Sequence, residues 1–433
     1  MFPRLFKIWH DVRSSLWALP LLIFALAAAA AILAVNIRVR QGDDPVWFLY
    51  SGDAEAAPQF LSNLVTAMIT MATLVVSITM VVLTLAAQQL GPRLIRSFMA
   101  DRRTQATLGL FIATVVYLLL VLRSSYGGTG SVPNLAVTGG TVLVLLCLVA
   151  LLIFVHHLAS SIIADNTIDR VGAALDVDIA RLLPDSDFEQ ASFPDKRPME
   201  TGAPLTLHRS GYVQALDHHG IVEIAEEADA VIEISFKPGR HIIEGSVFAW
   251  IEPSEAANEE IQERVQNCLM LGGERASVQD LETSIRQLVE VALRALSPSI
   301  SDPFTATAVI DRLSMSLAKI MQRGPAQCVW TDEDDIVRLL APRSTFGETV
   351  EEAFRQIRQH GHDEPAVLIR LVESLGQLLA QANETQRPAL EEQIEMVLET
   401  GRRNIAQKQD LQTLEERGKL ALDQVPAKRR KNN

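Results

Sequence analysis

Four runs of about twenty apolar residues, all within the first 158 positions, limit what this chain can fold into more than anything else it contains. They lie near 15–36, 63–87, 104–123 and 133–158, and none holds an Asp, Glu, Lys, Arg or His in its central part. Crossing a hydrocarbon layer about 30 Å thick takes roughly 20 helical residues, so each run reads as a transmembrane helix. The first follows Arg4, Lys7 and Arg13 as a secretory signal would. Its apolar stretch nevertheless exceeds the usual signal length of about 7 to 15 residues, and with three more spans behind it the run reads as a retained anchor.

Charge divides at the same place. Up to Asp165 there are 10 Lys and Arg against 7 Asp and Glu, and beyond it 29 against 45. An oily, slightly basic third is followed by an acidic part of water-soluble character, roughly 270 residues long. Cys147, Cys268 and Cys328 have neither metal spacing nor a disulfide framework, which suits a reducing cytoplasm.

Orientation follows from the short flanks, because Lys and Arg stay on the cytoplasmic side. The N-terminal flank has three basic residues, and "QQLGPRLIRSFMADRRTQ" (residues 88–105) has Arg93, Arg96, Arg102 and Arg103. The opposite side has Arg38, Arg40 and Arg123, with Trp47, Phe48 and Tyr50 as interfacial aromatics. Both termini and the acidic part are therefore expected inside. After Gly91-Pro92, Leu90, Leu94, Ile95 and Phe98 recur at helical spacing while the arginines can face lipid phosphate, as in an interfacial helix that anchors the topology.

The run "MITMATLVVSITMVVLTLAAQQLGPRLIRSFMADRRTQATLGLFIATVVYLLLVLR", with "SGYVQALD", "IRQLVEVALRALSPSISDPFTA" and "TFGETVEEAFRQIR", resembles the predicted bacterial membrane proteins of domain-of-unknown-function family 2254. The resemblance covers nearly the whole chain. It implies a bacterial inner-membrane location and supplies no activity. Where that family typically reads Ser-Pro-Gly-Ile-Asn-Asp-Pro, this chain has Ser297-Pro298-Ser299-Ile300-Ser301-Asp302-Pro303, which leaves no glycine or asparagine amide for a role at Ser299 or Ser301.

The second span carries the most unusual pattern. At 100° per residue, Asn63, Thr66, Thr70, Thr73, Ser77, Thr84 and Gln88 fall within an arc of about 80°. Two readings of this stripe stay open. Small hydroxylated residues suit helix contacts in membranes, with Gly109, Ala113, Gly139, Gly140 and Thr141 as partners on the next two spans. Alternatively, copies of the helix surround a pore that the stripe hydrates, and Met80 with Val81 forms a constriction gating by dewetting. The absence of ionisable groups from the span centres argues against a proton-coupled carrier.

Beyond the spans, the helical pattern runs on to Pro184 as a stalk. Alternating apolar positions with a Lys237-Pro238-Gly239 turn predict strands over 205–252, arranged like a small β-barrel or sandwich. That piece resembles biotinyl and lipoyl domains but has no lysine in "HHGIVEIAEEA", a short helix, so no swinging-arm cofactor is expected. His208 and His218-His219 lack ligand spacing for a metal. In "LSPSISDPFTA", Ser297-Pro298 ends one helix, and Asp302 with Pro303 caps and opens the next. Around Asp332 to Leu340 one more strand or a short helix is expected, and amphipathic helices follow. Lys428, Arg429, Arg430 and Lys431 close the chain.

The expected fold is a mainly α membrane protein: a four-helix transmembrane domain over 1–159, a stalk over 160–184, a small β domain over 205–253, a helical domain over 254–425 and a basic tail over 426–433. No phosphate loop, zinc-protease, redox or nucleophile-elbow motif is present, so no catalytic residue, metal or cofactor is assigned. The acidic soluble part disfavours nucleic acid. Lipid and further copies of the chain are the expected partners. The functional expectation is an oligomeric channel with a regulatory cytoplasmic domain; the alternative is a membrane-tethered scaffold or sensor whose cytoplasmic domain binds a protein or small ligand.

Overall fold

The computed structural model describes residues 18–36, 50, 56–90, 101–126, 134–161, 164–185, 197–273, 275 and 279–423. These fall into two compact units that divide between Asn166 and Thr167. The interfacial helix expected around Arg93 and Arg96, the side chain of Gln88 and the basic tail lie outside the described residues.

The N-terminal unit holds α1 (Ala18–Asn36), α2 (Ala56–Leu90), α3 (Arg102–Tyr126) and α4 (Asn134–Ser161). Three stretches, Ala56–Thr84, Arg102–Tyr126 and Asn134–Leu158, are long and apolar enough to cross a membrane; the apolar stretch of α1, Leu19–Val35, is shorter. Helix α2 begins seven residues before the expected start at 63, with Pro58 in its first turn, where a missing N–H costs nothing. Its 35 residues span about 52 Å at 1.5 Å each, well beyond a hydrocarbon core of about 30 Å.

Helix α3 is the hub of this unit. Gly109 lets α1 approach closely: a Cβ there would stand 2.9 Å from the Pro20 Cα and from Ile23 Cδ1. On the other flank Gly139 and Gly140 of α4 face Tyr117 and Leu118. Tyr117 Oη donates to the Ala136 carbonyl at 3.1 Å, and Thr114 Oγ1 lies 3.2 Å from Cys147 Sγ. Leu61, Met68, Phe111, Leu118 and Phe154 form the apolar centre. Bilayer helices gain little from apolar contact alone, so close approach and cross-helix hydrogen bonds hold them together.

The C-terminal unit begins with α5 (Ala164–Leu182). Ile168, Val171, Leu175 and Ile179 recur at helical spacing and are buried. The helix expected as a projecting stalk is thus a packed member of this unit from Thr167 onward. Its Asp176 takes hydrogen bonds from Arg312 Nη2 at 2.7 Å, Lys319 Nζ at 2.6 Å and Ser316 Oγ at 2.9 Å.

Two sheets follow. Strands β1 (Ala203–Thr206) and β2 (Gly211–Leu216) precede α6 (His218–Glu227), then β3 (Val231–Ile234), β4 (His241–Ile242), β5 (Val247–Glu252), α7 (Glu259–Asn267) and β6 (Leu269–Gly272). Helices α8 (Leu281–Ala295) and α9 (Pro303–Met321) come before β7 (Val329–Thr331) and β8 (Val337–Leu340). One sheet has the order β1-β5-β3-β8-β7, the other β4-β2-β6. Every pairing is antiparallel except β3 with β8, where Ile232 pairs with Leu339 and Glu233 with Leu340.

This corrects the expectation of a β piece complete within 205–253: β6 and β7 come from the region expected to be helical, and β8, where one more strand or a short helix was expected, joins the same sheet as β3. The physical reason is the edge of β3. Its Ile232 and Ile234 are 0% and 1% exposed, and a buried strand edge needs its backbone groups paired. The short apolar β8 supplies that pairing.

Helices α10 (Phe346–His360), α11 (Pro365–Leu379), α12 (Arg387–Asn404) and α13 (Lys408–Leu422) complete the unit. A capping box of Thr345 and Glu348 starts α10. Helix α11 is packed by α9, α12 and α13, which explains its run of buried Val367, Leu368, Leu371, Val372 and Leu375.

Candidate functional site

In the N-terminal unit, α2 has two unlike faces. Ala57, Leu61, Val65, Met68 and Val75 are buried against the neighbouring helices, while Asn63, Thr66, Thr70, Thr73, Ser77 and Thr84 are exposed. At 100° per residue the two sets point about 170° apart. Most of the stripe therefore faces away from the described helices of its own chain, while Thr73 and Ser77 border a groove against α3. Its hydroxyls donate back one turn: Thr66 to Ser62 O at 3.0 Å, Thr70 to Thr66 O at 3.0 Å, Thr73 to Ile69 O at 2.9 Å and Thr84 to Met80 O at 2.9 Å. Each donor is satisfied, while the oxygen keeps accepting capacity toward whatever faces it. Met80 and Val81 stand out from the same helix, 58% and 59% exposed.

The outward face of α4 is a contrast within the same unit. There Val142, Leu145, Leu146, Val149, Leu152 and Ile153 are exposed, all of them aliphatic. At the edge of the stripe, its own Thr73 and Ser77 join Ile69, Val76, Ile112 and Val115 around a groove of about 380 Å³ between α2 and α3.

The ends of the spans hold the ionisable groups. Asp101 caps α3, taking Thr104 N at 3.3 Å and Thr104 Oγ1 at 3.0 Å, and His157 Nε2 on α4 lies 2.6 Å from its Oδ2. Burial pushes the Asp101 carboxyl up, but the hydrogen bonds from His157 and Thr104 prevail and hold it below its ordinary value. Arg102 and Arg103 are exposed beside it.

In the C-terminal unit the helix hairpin is built as its residues suggest. Asp302 takes Thr305 N at 3.1 Å and Thr305 Oγ1 at 2.6 Å, bonds that lower its carboxyl, and Pro303 opens α9. Ser297 Oγ donates to Arg294 O at 2.7 Å, and Pro298 is exposed at the turn. Ser301 has φ +49°, a left-handed conformation in which asparagine is far commoner than serine.

A second polar constellation in this unit has no counterpart among the residues singled out as a site above. Lys237, Gln279, Asp280, Leu281, Arg343 and Ser344 are among the residues around a cavity of about 50 Å³. Asp280 caps α8 by accepting Glu282 N on Oδ1 at 2.9 Å. Its side chain is 7% exposed, and Oδ2, without a hydrogen bond among the described residues, stands 3.9 Å from Arg275 Nη2 in a long ion pair. Burial, then the neighbouring Glu282, pushes this carboxyl up to about 7.

Arg343 donates to Gln279 O at 3.1 Å and to His218 Nε2 at 3.0 Å. Its guanidinium carbon lies 5.7 Å from the centre of the Trp330 ring, on which His218 stacks at 4.5 Å. Burial, reinforced by the Arg343 charge, pushes His218 down to about 4, so the imidazole is a neutral acceptor at pH 7. Gly239, at φ +84°, backs onto this site: a Cβ there would stand 2.7 Å from Asp280 Oδ2. The Lys237-Pro238-Gly239 turn and His218 were visible as sequence features. Their meeting with Asp280 and Arg343 was not, since these residues lie far apart in the chain and share no spacing.

Long apolar helices joined in one chain to a mixed sheet and a helical bundle define the class: a membrane protein with a large extramembrane part. The family described as "Predicted membrane protein (DUF2254)" matches residues 13–377, and the chain belongs to it. Similar proteins are the uncharacterized protein Mb1321c of Mycobacterium bovis and the uncharacterized protein Rv1290c of Mycobacterium tuberculosis. Each is 28% identical over 420 residues, covering 95% of this chain and 80% of the relative. No solved structure matches the chain.

Proposed function

We propose that this protein is an oligomeric channel of the bacterial inner membrane. It spans the bilayer four times with both termini in the cytoplasm, and copies of α2 surround a water path. The observation that carries the reading is the contrast between two outward faces: α4 turns Val, Leu and Ile outward, whereas α2 turns a stripe of Thr, Ser and Asn outward between Ile69, Leu74 and Val76. Aliphatic side chains suit lipid, and a stripe of hydroxyls and an amide suits water or another protein surface. Met80 and Val81 interrupt the stripe and form the apolar constriction. Arg93 and Arg96 stand near the inner mouth and favour anions there.

Ion flux through liposomes containing the purified protein tests this. Flux above empty liposomes is expected, with Thr70→Val combined with Ser77→Ala lowering it several-fold and Arg93→Gln with Arg96→Gln reducing the preference for anions. No flux from the parent protein overturns the channel.

A second reading is favoured by the cavity at Asp280 and Arg343. Here the C-terminal unit is a cytoplasmic sensor that receives a small ligand, whether or not the spans conduct. Binding of a ligand to the intact protein, with no flux under any condition, supports this reading over the first.

A further inference from the structure

We propose that the tip of the α8–α9 hairpin rests on the surface of the membrane that holds this protein, with Phe304 and Ile300 set among the lipid headgroups. The proposal rests on the membrane location of the chain and is independent of whether its spans conduct.

The tip is an apolar point on an acidic unit. Phe304 is 83% exposed, more than any other large apolar side chain among the described residues, and Ile300 across the turn is 45% exposed. Between Arg294 and Asp311 the one charged residue is Asp302, and its carboxylate is taken up by Thr305 N and Thr305 Oγ1. The nearby hydroxyls are engaged as well. Thr307 Oγ1 donates to Phe304 O at 2.8 Å, Ser297 Oγ donates to Arg294 O, and Ser299 Oγ lies 3.2 Å from Ser297 Oγ. What these residues offer outward is apolar area, with their polar groups already satisfied within the hairpin.

The fold places that area at the end of the C-terminal unit where the chain arrives from α4. Helices α5 and α9 run parallel in constant register: Gly172 packs on Arg312, Asp176 binds Ser316, and Gly324 N donates to Pro184 O. Both helices continue back to Ala164 and Pro303, so with equal rise per residue Phe304 stands level with Ala164. Helix α8 runs the other way, with Ser284 Oγ on Asp178 Oδ2 at 3.0 Å, and returns the chain to the same level at Leu296. Side chains on a helix tilt toward its N-terminus, so Phe304, in the first turn of α9, projects off that end.

Chain length brings this end to the lipid. The apolar stretch of α4 ends at Leu158. The six residues from there to Ala164 reach no more than about 22 Å, at about 3.6 Å each when fully extended. A tether that short keeps the tip close to the bilayer surface, so a weak contact is made at high effective concentration.

Area favours lipid over a protein partner. Two large side chains offer no more than about 400 Å², at about 200 Å² each, whereas a stable protein interface takes about 800 Å² from each partner. An interfacial contact needs only apolar groups that sink part-way into the headgroup boundary. The excess of acidic residues in the rest of the unit keeps the contact confined to this tip.

Photocrosslinking of the intact protein in nanodiscs of phosphatidylethanolamine and phosphatidylglycerol tests this. Benzoylphenylalanine replaces Phe304 or, in a separate sample, Met315, which is 58% exposed. Met315 lies on the same face of α9, about 16 Å further along the helix. Both positions are on the surface, and an unchanged thermal midpoint verifies that each labelled protein is folded. Mass spectrometry after irradiation should find several-fold more phospholipid adduct at position 304 than at 315. No lipid adduct at 304, equal adducts at both positions, or a crosslink from 304 mainly to protein, including a second copy of the chain, overturns the proposal. The channel reading is judged separately by flux, so one can fail without the other.

Discussion

The two units dispose of polar groups in opposite ways. In the N-terminal unit the hydroxyls of α2 point outward, and the hydrogen-bonded Asp101 and His157 sit at the span ends. In the C-terminal unit charges are inside: Glu233 is 1% exposed, Arg338 7% and Arg312 8%, each held by an oppositely charged partner. The difference follows from what each unit is solvated by. A water-soluble unit buries charge by exchanging water for a partner, which is tolerable when the pair is complete and costly when it is broken. A helix in lipid has no water to give up, so an ionised group in mid-span has no comparable exchange, and hydroxyls bonded to their own backbone are the polar groups it carries.

The strongest way to sharpen this comparison is through Asp280, a buried carboxyl whose ion pair with Arg275 is long, at 3.9 Å. Its pKa in the folded protein is about 7 against 3.8 for the ordinary group. The folded state therefore binds the proton more tightly than the unfolded one. The associated stability is full below about pH 4 and is lost as pH rises through about 7, a change of about 4 kcal/mol at 1.36 kcal/mol per unit. Denaturant unfolding of the parent and of Asp280→Asn, followed by tryptophan fluorescence from pH 4 to 8, should diverge by that order, with the flatter profile in the variant. Parallel profiles would show that Asp280 is solvated after all.

Next in size is a completed pair. Arg197→Ala leaves the Glu233 carboxylate buried with Met199 N, 3.0 Å from Oε2, as its remaining described hydrogen bond. A loss of about 3 kcal/mol is expected, and Arg197→Met with Glu233→Leu should recover part of it. The same unfolding measurement reads both.

In the N-terminal unit, Gly109→Val should cost about 1 to 3 kcal/mol, because the new side chain meets the α1 backbone at Pro20 and the helices must part. Gly109→Ala should cost less. Thermal scanning in detergent distinguishes them, and a neutral Gly109→Val would mean that α1 is not held by close approach. The smallest effect is expected at the hairpin. Ser301→Asn should raise stability by up to about 1 kcal/mol, since asparagine takes the left-handed conformation at lower cost than serine.

How much of this was legible beforehand varied with the range of the interaction. Helices α2, α3 and α4 could be read from runs of apolar residues, and the Asp302-Pro303 start of α9 from two adjacent residues. The seven extra residues at the start of α2 were missed because Pro58 and Gln59 look like loop, although a first helical turn accepts both. The pairing of β3 with β8 was not legible, because a parallel pairing between Ile232 and Leu339 leaves no local pattern. The cavity was missed for the same reason: Asp280 reads as an ordinary helix cap, and Arg343 as one arginine among many.

Sequence alone determined that this chain has long apolar helices ahead of an acidic extramembrane part, because bilayer thickness and periodicity act on consecutive residues. It also determined that one of those helices carries a hydroxylated face. Only the tertiary structure decided that most of this face turns away from the described helices of its own chain, that α5 packs into the C-terminal unit, and that Arg343 and Asp280 line one cavity. Those outcomes depend on which surfaces distant segments bury against one another, and burial is a property of the assembled chain rather than of any stretch of it.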